Sequence, residues 1–433
     1  MAIVIQDERN YHNKLKIMNE EMKNKVEEAN SIATERILKS IPLLVDVKPA
    51  IEALPNMKRN SILYAGPPIE WKRMCGAMKG AIVGTIIFEG LAHDWDEAVK
   101  LIEQDDIVFS PNTEHDAVGP MAGIISPSLP VLVVKNEKYG NTCYGRIVEQ
   151  KVQYGVFNKT AINSELKFWS ETLAPALRKA LRRTKGINLN SIMARSLHMG
   201  DELHNRSVAG TYLFANAMLP YLIEVLDKEE LLKVMKYFSN NEIFFLCTSM
   251  AACKTMMKAA HEIECSTIVT VMARNGVDFG IKVSGLGDQW FVGQAQMIDG
   301  IYLPGYKRED ANPDMGDSAI IETAGIGAFA LANSPAIMSL IGGSAKDLIK
   351  HTNDMREITV TPNERFSIPI LDFQGIATGI DIRKVMETGI LPVIDSAIAH
   401  KKAGVGMIGA GLVNPPLEVF KQALHTFNRK YKL

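Results

Sequence analysis

The chain has 433 residues, 47% hydrophobic and 22% charged, with a formal net charge of −1. That is the composition of an ordinary globular protein of two or three domains, and it gives no electrostatic footprint for DNA or RNA. Five scattered cysteines with no Cys-x-x-Cys pair argue against a disulfide framework or a zinc knuckle, and no basic-then-apolar leader or run of eighteen apolar residues is found, so a cytoplasmic protein without a membrane span is expected.

In chain order, residues 7–40 are charged, and Met18, Met22, Val26, Ala29 and Ile32 recur at helical spacing. They predict a partly exposed amphipathic helix. SILYAGPPIEW predicts a short strand, a Gly-Pro-Pro break and a helix from Trp71. On that helix Gly76, Gly80 and Gly84 share one face, which suits close packing. SPSLPVLVVKN reads as a buried strand. Residues 160–262 read as helical, with Gly186 ending the FWSETLAPALRKALRR helix and Asn190 capping the next.

At Ser266 the period changes. STIVTVMA and VDFGIKVSG flank Arg274-Asn275-Gly276, and Asn-Gly between β-rich runs predicts a hairpin. WFVGQAQMIDGIYL adds strand with an Asp-Gly turn, and helix signals return at Asp317-Ser318, in SAKDLIKHTNDMRE and in PPLEVFKQALHTFNRK. The expectation is a mixed α/β fold in three parts: an N-terminal α/β part (1–155), a helical part (156–265), and a C-terminal α+β part (266–433) with an antiparallel β-meander and glycine-rich loops.

Five constellations could carry chemistry. Ten glycines lie between Met272 and Ala330, interleaved with Arg274, Asn275, Asp288, Asn312, Asp314, Asp317 and Ser318, a pattern of polar loops that can approach a ligand closely. In SLHMGDELHNR, a helix would set His198, Asp201, Glu202 and Asn205 on one face, where a His and a carboxylate one turn apart can move a proton or hold a metal. The Asn112–Asp116 loop offers His115 and Asp116 for the same chemistry, and convergence of the two histidine motifs would strengthen both. Gly404, Gly406, Gly409 and Gly411 match a dinucleotide fingerprint. Only 22 residues follow Gly411, too few to complete a βαβ unit, so the expectation is a glycine loop opening the Pro415–Phe427 helix toward an anion. Cys253 beside Lys254 is either an activated thiol or a small-residue helix contact.

The phrases AGPPIEWKRMCGAMKGA, HDAVGPMAGIISPS, LHMGDELHNR, SMAACK, MARNGVDFGIKVSGLGDQWF, DANPDMGDSAIIETAGIGAFA and IGAGLVNPP, in this order, resemble the YlbE/AllG-like family. The resemblance implies a subunit of a catabolic oxamate carbamoyltransferase in ureide breakdown, working with FdrA-type (AllF) and AllH-type subunits on phosphate and a small carbamoyl substrate such as oxalurate. It carries over no catalytic residue. Fitted to that chemistry, His198, His115, Asp116 and Glu202 are the candidate acid–base groups. Arg274, Asn275, Asn312, Ser318, Gly406, Gly409 and Gly411 are the candidate anion binders. Asp288, Asp314 and Asp317 would hold loops or a metal. No organic cofactor is expected, a metal stays open, and so does self-association. The alternatives are a non-catalytic scaffold docking an FdrA-type partner and a stand-alone metal-dependent amidohydrolase.

Overall fold

A computed structural model describes residues 20–147 and 150–432. The predicted first helix runs Glu20–Lys39; its expected start, with Met18, lies outside the described residues. Its buried stripe is Val26, Ala29, Asn30, Ala33, Thr34 and Ile37, and Ile32 faces solvent. Asn30 explains why a polar residue sits on that stripe. Its amide donates to Thr267 and Asp381, and its carbonyl accepts from Ser266 and the Thr267 N–H, tying the helix to the C-terminal half.

The fold is mixed α/β with several antiparallel sheets. The largest sheet has the order Ala117–Val118, Thr142–Arg146, Pro130–Asn136, Pro42–Pro49, Ile187–Asn188, antiparallel except for the first pair, which is parallel. The apolar run in SPSLPVLVVKN is its central strand, buried because the helix Phe245–Ala259 lies across it. The SILY strand, Ser61–Tyr64, pairs in parallel with Val108–Pro111, outside that sheet. After the Gly-Pro-Pro break a single 3₁₀ turn spans Trp71–Arg73, and the α-helix begins only at Gly76. Its three glycines pack as expected. A Cβ on Gly76 would run into the Lys401 carbonyl, one on Gly80 into the Gly155 carbonyl, and one on Gly84 would lie 3.1 Å from Phe157 Cβ.

The central segment is helical, with a short π-helical stretch over 162–173. The cap of the helix Leu189–His198 is Asn188, two residues before the expected Asn190, while Asn190 is buried and donates to the Ser40 carbonyl. The helix Val208–Val225 is long and apolar enough in composition to cross a membrane, which amends the sequence expectation. Here it buries Phe214, Met218 and Leu222 against neighbouring helices.

The C-terminal meander has the order Phe291–Gln294, Asp278–Val283, Val269–Asn275, Met315–Gly316, antiparallel throughout. The hairpin forms where the dipeptide predicts, but its loop is Gly276-Val277, one residue later: Asn275 ends the first strand, its Oδ1 accepts from the N–H groups of Val277 and Asp278, and Gly276 takes φ +83°. A second antiparallel sheet orders Asp299–Tyr302, Met407–Val413, Ile394–Ala399. It corrects two expectations. Asp299-Gly300 is strand and not a turn. Gly409 and Gly411 are strand residues, not part of a loop opening a helix: they face Tyr302 and Gly300 across the ladder, where glycine lets the strands approach closely. The strand ends at Val413, and Asn414-Pro415-Pro416 intervene before the helix Leu417–Tyr431.

Candidate functional site

Residues 150–156, 205–208, 239–243, 336–340 and 405–407 surround a cavity of about 780 Å³. Its most polar wall is the Asn205-Arg206-Ser207 turn. The expected continuous helix through His198–Asn205 stops at His198 instead, because Gly200 and Leu203 take φ of +92° and +72° and break the helical path. Glu202 stabilises the turn that follows. One of its oxygens accepts the His204 N–H at 2.9 Å and the other the Arg206 N–H at 2.5 Å. The turn leaves three buried donors without a hydrogen bond at the cavity wall: Asn205 Nδ2, Arg206 Nε and Ser207 Oγ. Arg206 Nε lies 3.7 Å from Asp201, an ion-pair distance beyond hydrogen bonding. Unsatisfied donors on residues that line a cavity are suited to a ligand rich in oxygen acceptors once a shift of the wall exposes them.

Behind this turn His204, Glu202, Glu322 and Asp395 form a buried cluster. His204 Nδ1 lies 2.7 Å from Glu322 Oε1 and 2.8 Å from Asp395 Oδ1. Burial pushes the Glu322 carboxyl up to about 7 against the pull of His204. Burial and the Asp395 charge push Glu202 well above the carboxylate range. Burial opposes an imidazolium at His204, but the two carboxylates more than reverse it and hold its pKa well above the usual histidine value. Burial also opposes charge on Asp395, and His204 overcomes it, leaving that group below its ordinary value. Among the described residues, His204, Glu322 and Asp395 are the trio placed to hold a metal ion.

Two further polar centres flank the meander. Arg274 is fully buried and spends all five N–H donors within the protein, on Asp314, the Gly316 carbonyl, Ser318 and Ser396. Asp317 accepts from the Gly66 and Gly119 N–H groups and from Asn112 Nδ2, yet burial outweighs these bonds and raises its pKa to about 6. Beside the Phe245–Ala259 helix, Lys254, Lys258, Lys282 and His261 gather with Asp116 and Asp288 around a void of about 10 Å³, room for one water. Lys258 pairs with Asp116 at 3.0 Å, and Lys282 with Glu114 and Asp288. Lys254 makes no hydrogen bond or ion pair among the described residues, and burial lowers its pKa. Cys253 is buried with its thiol raised well above the ordinary value, the reverse of activation.

The residues singled out from sequence divide accordingly. Gly406 lines the cavity, and Glu202 supports its wall. His198 bonds Ser367 Oγ at 3.0 Å and meets Phe373 edge-on, and His115 bonds Ser110 Oγ at 3.0 Å. The two histidines share no partner, and neither ring lines the cavity. Asp116 belongs to the lysine-rich void. Asn275 and Asn312 are buried hairpin braces, bonding the Pro67 carbonyl and the Gly276 and Pro313 carbonyls, and Ser318 accepts from Arg274. Sequence reasoning missed Glu322 and Asp395. The signal was present: each is the lone acid of an apolar run, AIIETAGIGAFA and LPVIDSAIA, where an ionisable side chain must be buried and partnered.

Fold and cavity together define a mixed α/β protein whose cavity, of about 780 Å³, is backed by a buried His–carboxylate cluster. Its relatives place it further. The family described as "Oxamate carbamoyltransferase subunit AllG" matches residues 107–318. The Escherichia coli K12 oxamate carbamoyltransferase subunit AllG is 41% identical, over 92% of this chain and 97% of that protein. The uncharacterised protein YahG of the same strain is 47% identical, over 94% of this chain and 87% of YahG. The crystal structure of a conserved protein of unknown function from Enterococcus faecalis V583 superposes with a TM-score of 0.92 at 46% identity, covering 94% of this chain and 99% of that one. The chain belongs to the AllG family.

Proposed function

We propose that this chain is a subunit of a catabolic carbamoyltransferase acting in the cytoplasm with FdrA-type and AllH-type partners, and that the Asn205–Ser207 wall binds its anionic substrate. The observation that carries the reading is the set of donors without a hydrogen bond on Asn205, Arg206 and Ser207, residues of the cavity wall, in a chain 41% identical to an oxamate carbamoyltransferase subunit.

In phosphorolysis of oxalurate, a phosphate oxygen attacks the carbamoyl carbon, the bond from that carbon to the oxamate nitrogen breaks, and that nitrogen takes up a proton. The products are carbamoyl phosphate and oxamate. Arg206 and the neighbouring donors suit the oxamate carboxylate or the oxyanion that develops at the attacked carbon. The proton is assigned to a group from a partner subunit, since the rings of His115 and His198 lie away from the cavity wall.

The test is binding of oxamate to the isolated chain by calorimetry, then turnover with both partners added. Arg206→Ala is expected to weaken oxamate binding about tenfold or more and to lower turnover of the assembly. An assembly that forms and turns over oxalurate at full rate with Arg206→Ala removes the cavity from the reaction. An assembly that forms but is inert on oxalurate makes the substrate assignment wrong and leaves the partner assignment standing.

A further inference from the structure

The His204 cluster holds more buried acceptor than donor. Glu202, Glu322 and Asp395 are each 0% exposed. His204 Nδ1 has one hydrogen for two carboxylates, Glu322 Oε1 at 2.7 Å and Asp395 Oδ1 at 2.8 Å, and any further bond to Asp395 needs a proton on Glu322 or Glu202. Glu322 Oε2 and both Asp395 oxygens accept nothing from a backbone N–H, a hydroxyl or an amide among the described residues. Leaving fully buried carboxylate oxygens without partners is costly, and native proteins rarely tolerate it. One ligand atom from each of His204, Glu322 and Asp395 falls within 4.8 Å of the other two.

We propose that His204 Nδ1, Glu322 and Asp395 bind a divalent transition-metal ion. One imidazole nitrogen with carboxylate oxygens selects the Mn²⁺, Fe²⁺ and Zn²⁺ class over Mg²⁺ or Ca²⁺, which prefer all-oxygen sites. Binding displaces the Nδ1 proton to solvent and joins the orphaned oxygens to a cation. The ligands are already oriented. The Glu202 carboxylate holds the His204 backbone, the Ala328 N–H bonds Glu322 Oε1 at 3.0 Å, and Gly327, at φ +63°, closes over that oxygen where any Cβ would collide with it. Asp395 is fixed on the strand Ile394–Ala399 opposite Leu412. The ion therefore ties three distant segments together beneath the cavity wall, whatever substrate the cavity takes.

The experiment uses the full chain, purified without chelator and analysed for metal content, then dialysed against EDTA and titrated with MnCl₂ or ZnCl₂ by calorimetry and thermal unfolding. About one ion per chain is expected, with a midpoint raised by about 3 °C or more at saturation. Asp395→Asn and Glu322→Gln should each weaken binding tenfold or more. Both are near-isosteric, and if one fails to fold the other and the wild-type titrations decide. No bound metal on purification and neither heat nor shift from either ion overturns the proposal, leaving carboxyls that share protons. Equal affinity in wild type and both variants also overturns it, because the ion then binds elsewhere.

Discussion

Arg274 and Asp314 meet side-on in the interior, Nε to Oδ2 at 2.6 Å and Nη2 to Oδ1 at 2.9 Å, with both side chains almost wholly out of solvent. Ser396 closes the network, accepting from Arg274 Nη2 and donating to the same Asp314 oxygen at 2.7 Å. A bidentate buried pair is strong while intact and expensive when halved. Asp314→Asn is expected to cost about 3 kcal/mol, since it strands a buried guanidinium, whereas the double variant Arg274→Met/Asp314→Leu should recover most of that loss. Urea unfolding of the three proteins measures this. Single and double variants of equal stability would show that the pair is not coupled.

The helix Gly76–Phe88 depends on contact with backbone. Gly80 packs on the Gly155 carbonyl, itself a residue at φ +89°. Gly80→Ala gains helix propensity, about 1 kcal/mol, but places a methyl inside a backbone contact that cannot yield without moving the 152–156 turn. A net loss of about 1–3 kcal/mol is expected. Thermal unfolding that shows Gly80→Ala as stable as wild type would mean that the turn relocates freely.

What was legible follows from the range of the interactions. The Asn275-Gly276 hairpin, the strand Pro130–Asn136, the glycine face of Gly76, Gly80 and Gly84, and the Ser344-capped helix Ala345–Glu357 are written in local dipeptides and periods, and they formed as read. The helical face proposed for His198–Asn205 failed because two left-handed residues, Gly200 and Leu203, interrupt a stretch whose spacing alone fits a helix. The glycines at 409 and 411 serve strand pairing, which depends on a partner strand more than a hundred residues earlier. The buried cluster was the least legible. His204 and Glu322 are 118 residues apart, and no local period connects them.

Asp317 makes stability depend on pH. Burial raises its folded pKa to about 6, above the unfolded value of about 3.9. A carboxyl raised on folding binds its proton more tightly in the native state. Its contribution is fully present below about pH 4 and is lost as pH rises through about 6. Two units correspond to roughly 3 kcal/mol at most. Asp317→Asn also loses acceptors for Gly66, Gly119 and Asn112, so the variant should be less stable throughout. The discriminating readout is the slope of unfolding free energy between pH 4 and 7, which should be less negative in the variant than in wild type. Parallel pH profiles would place the titration elsewhere.

Lys254 is a buried amine with no hydrogen bond or ion pair among the described residues, on a helix whose other faces are packed with apolar side chains. Burial and the nearby Lys258 and Lys282 ammonium groups disfavour its charged form, while Cys143 and Asp116 favour it, and the balance lowers its pKa. An ionisable group kept at such a position costs the folded state, and replacement by a methionine of similar length removes the cost without opening a cavity. Lys254→Met is therefore expected to raise stability by about 1 kcal/mol, read from urea unfolding at neutral pH. The void it shares with Lys258, Lys282 and His261 has room for one water, which can bond the Lys254 amine and which an apolar replacement does not need. Loss of stability by more than about 2 kcal/mol would show instead that Lys254 braces the fold.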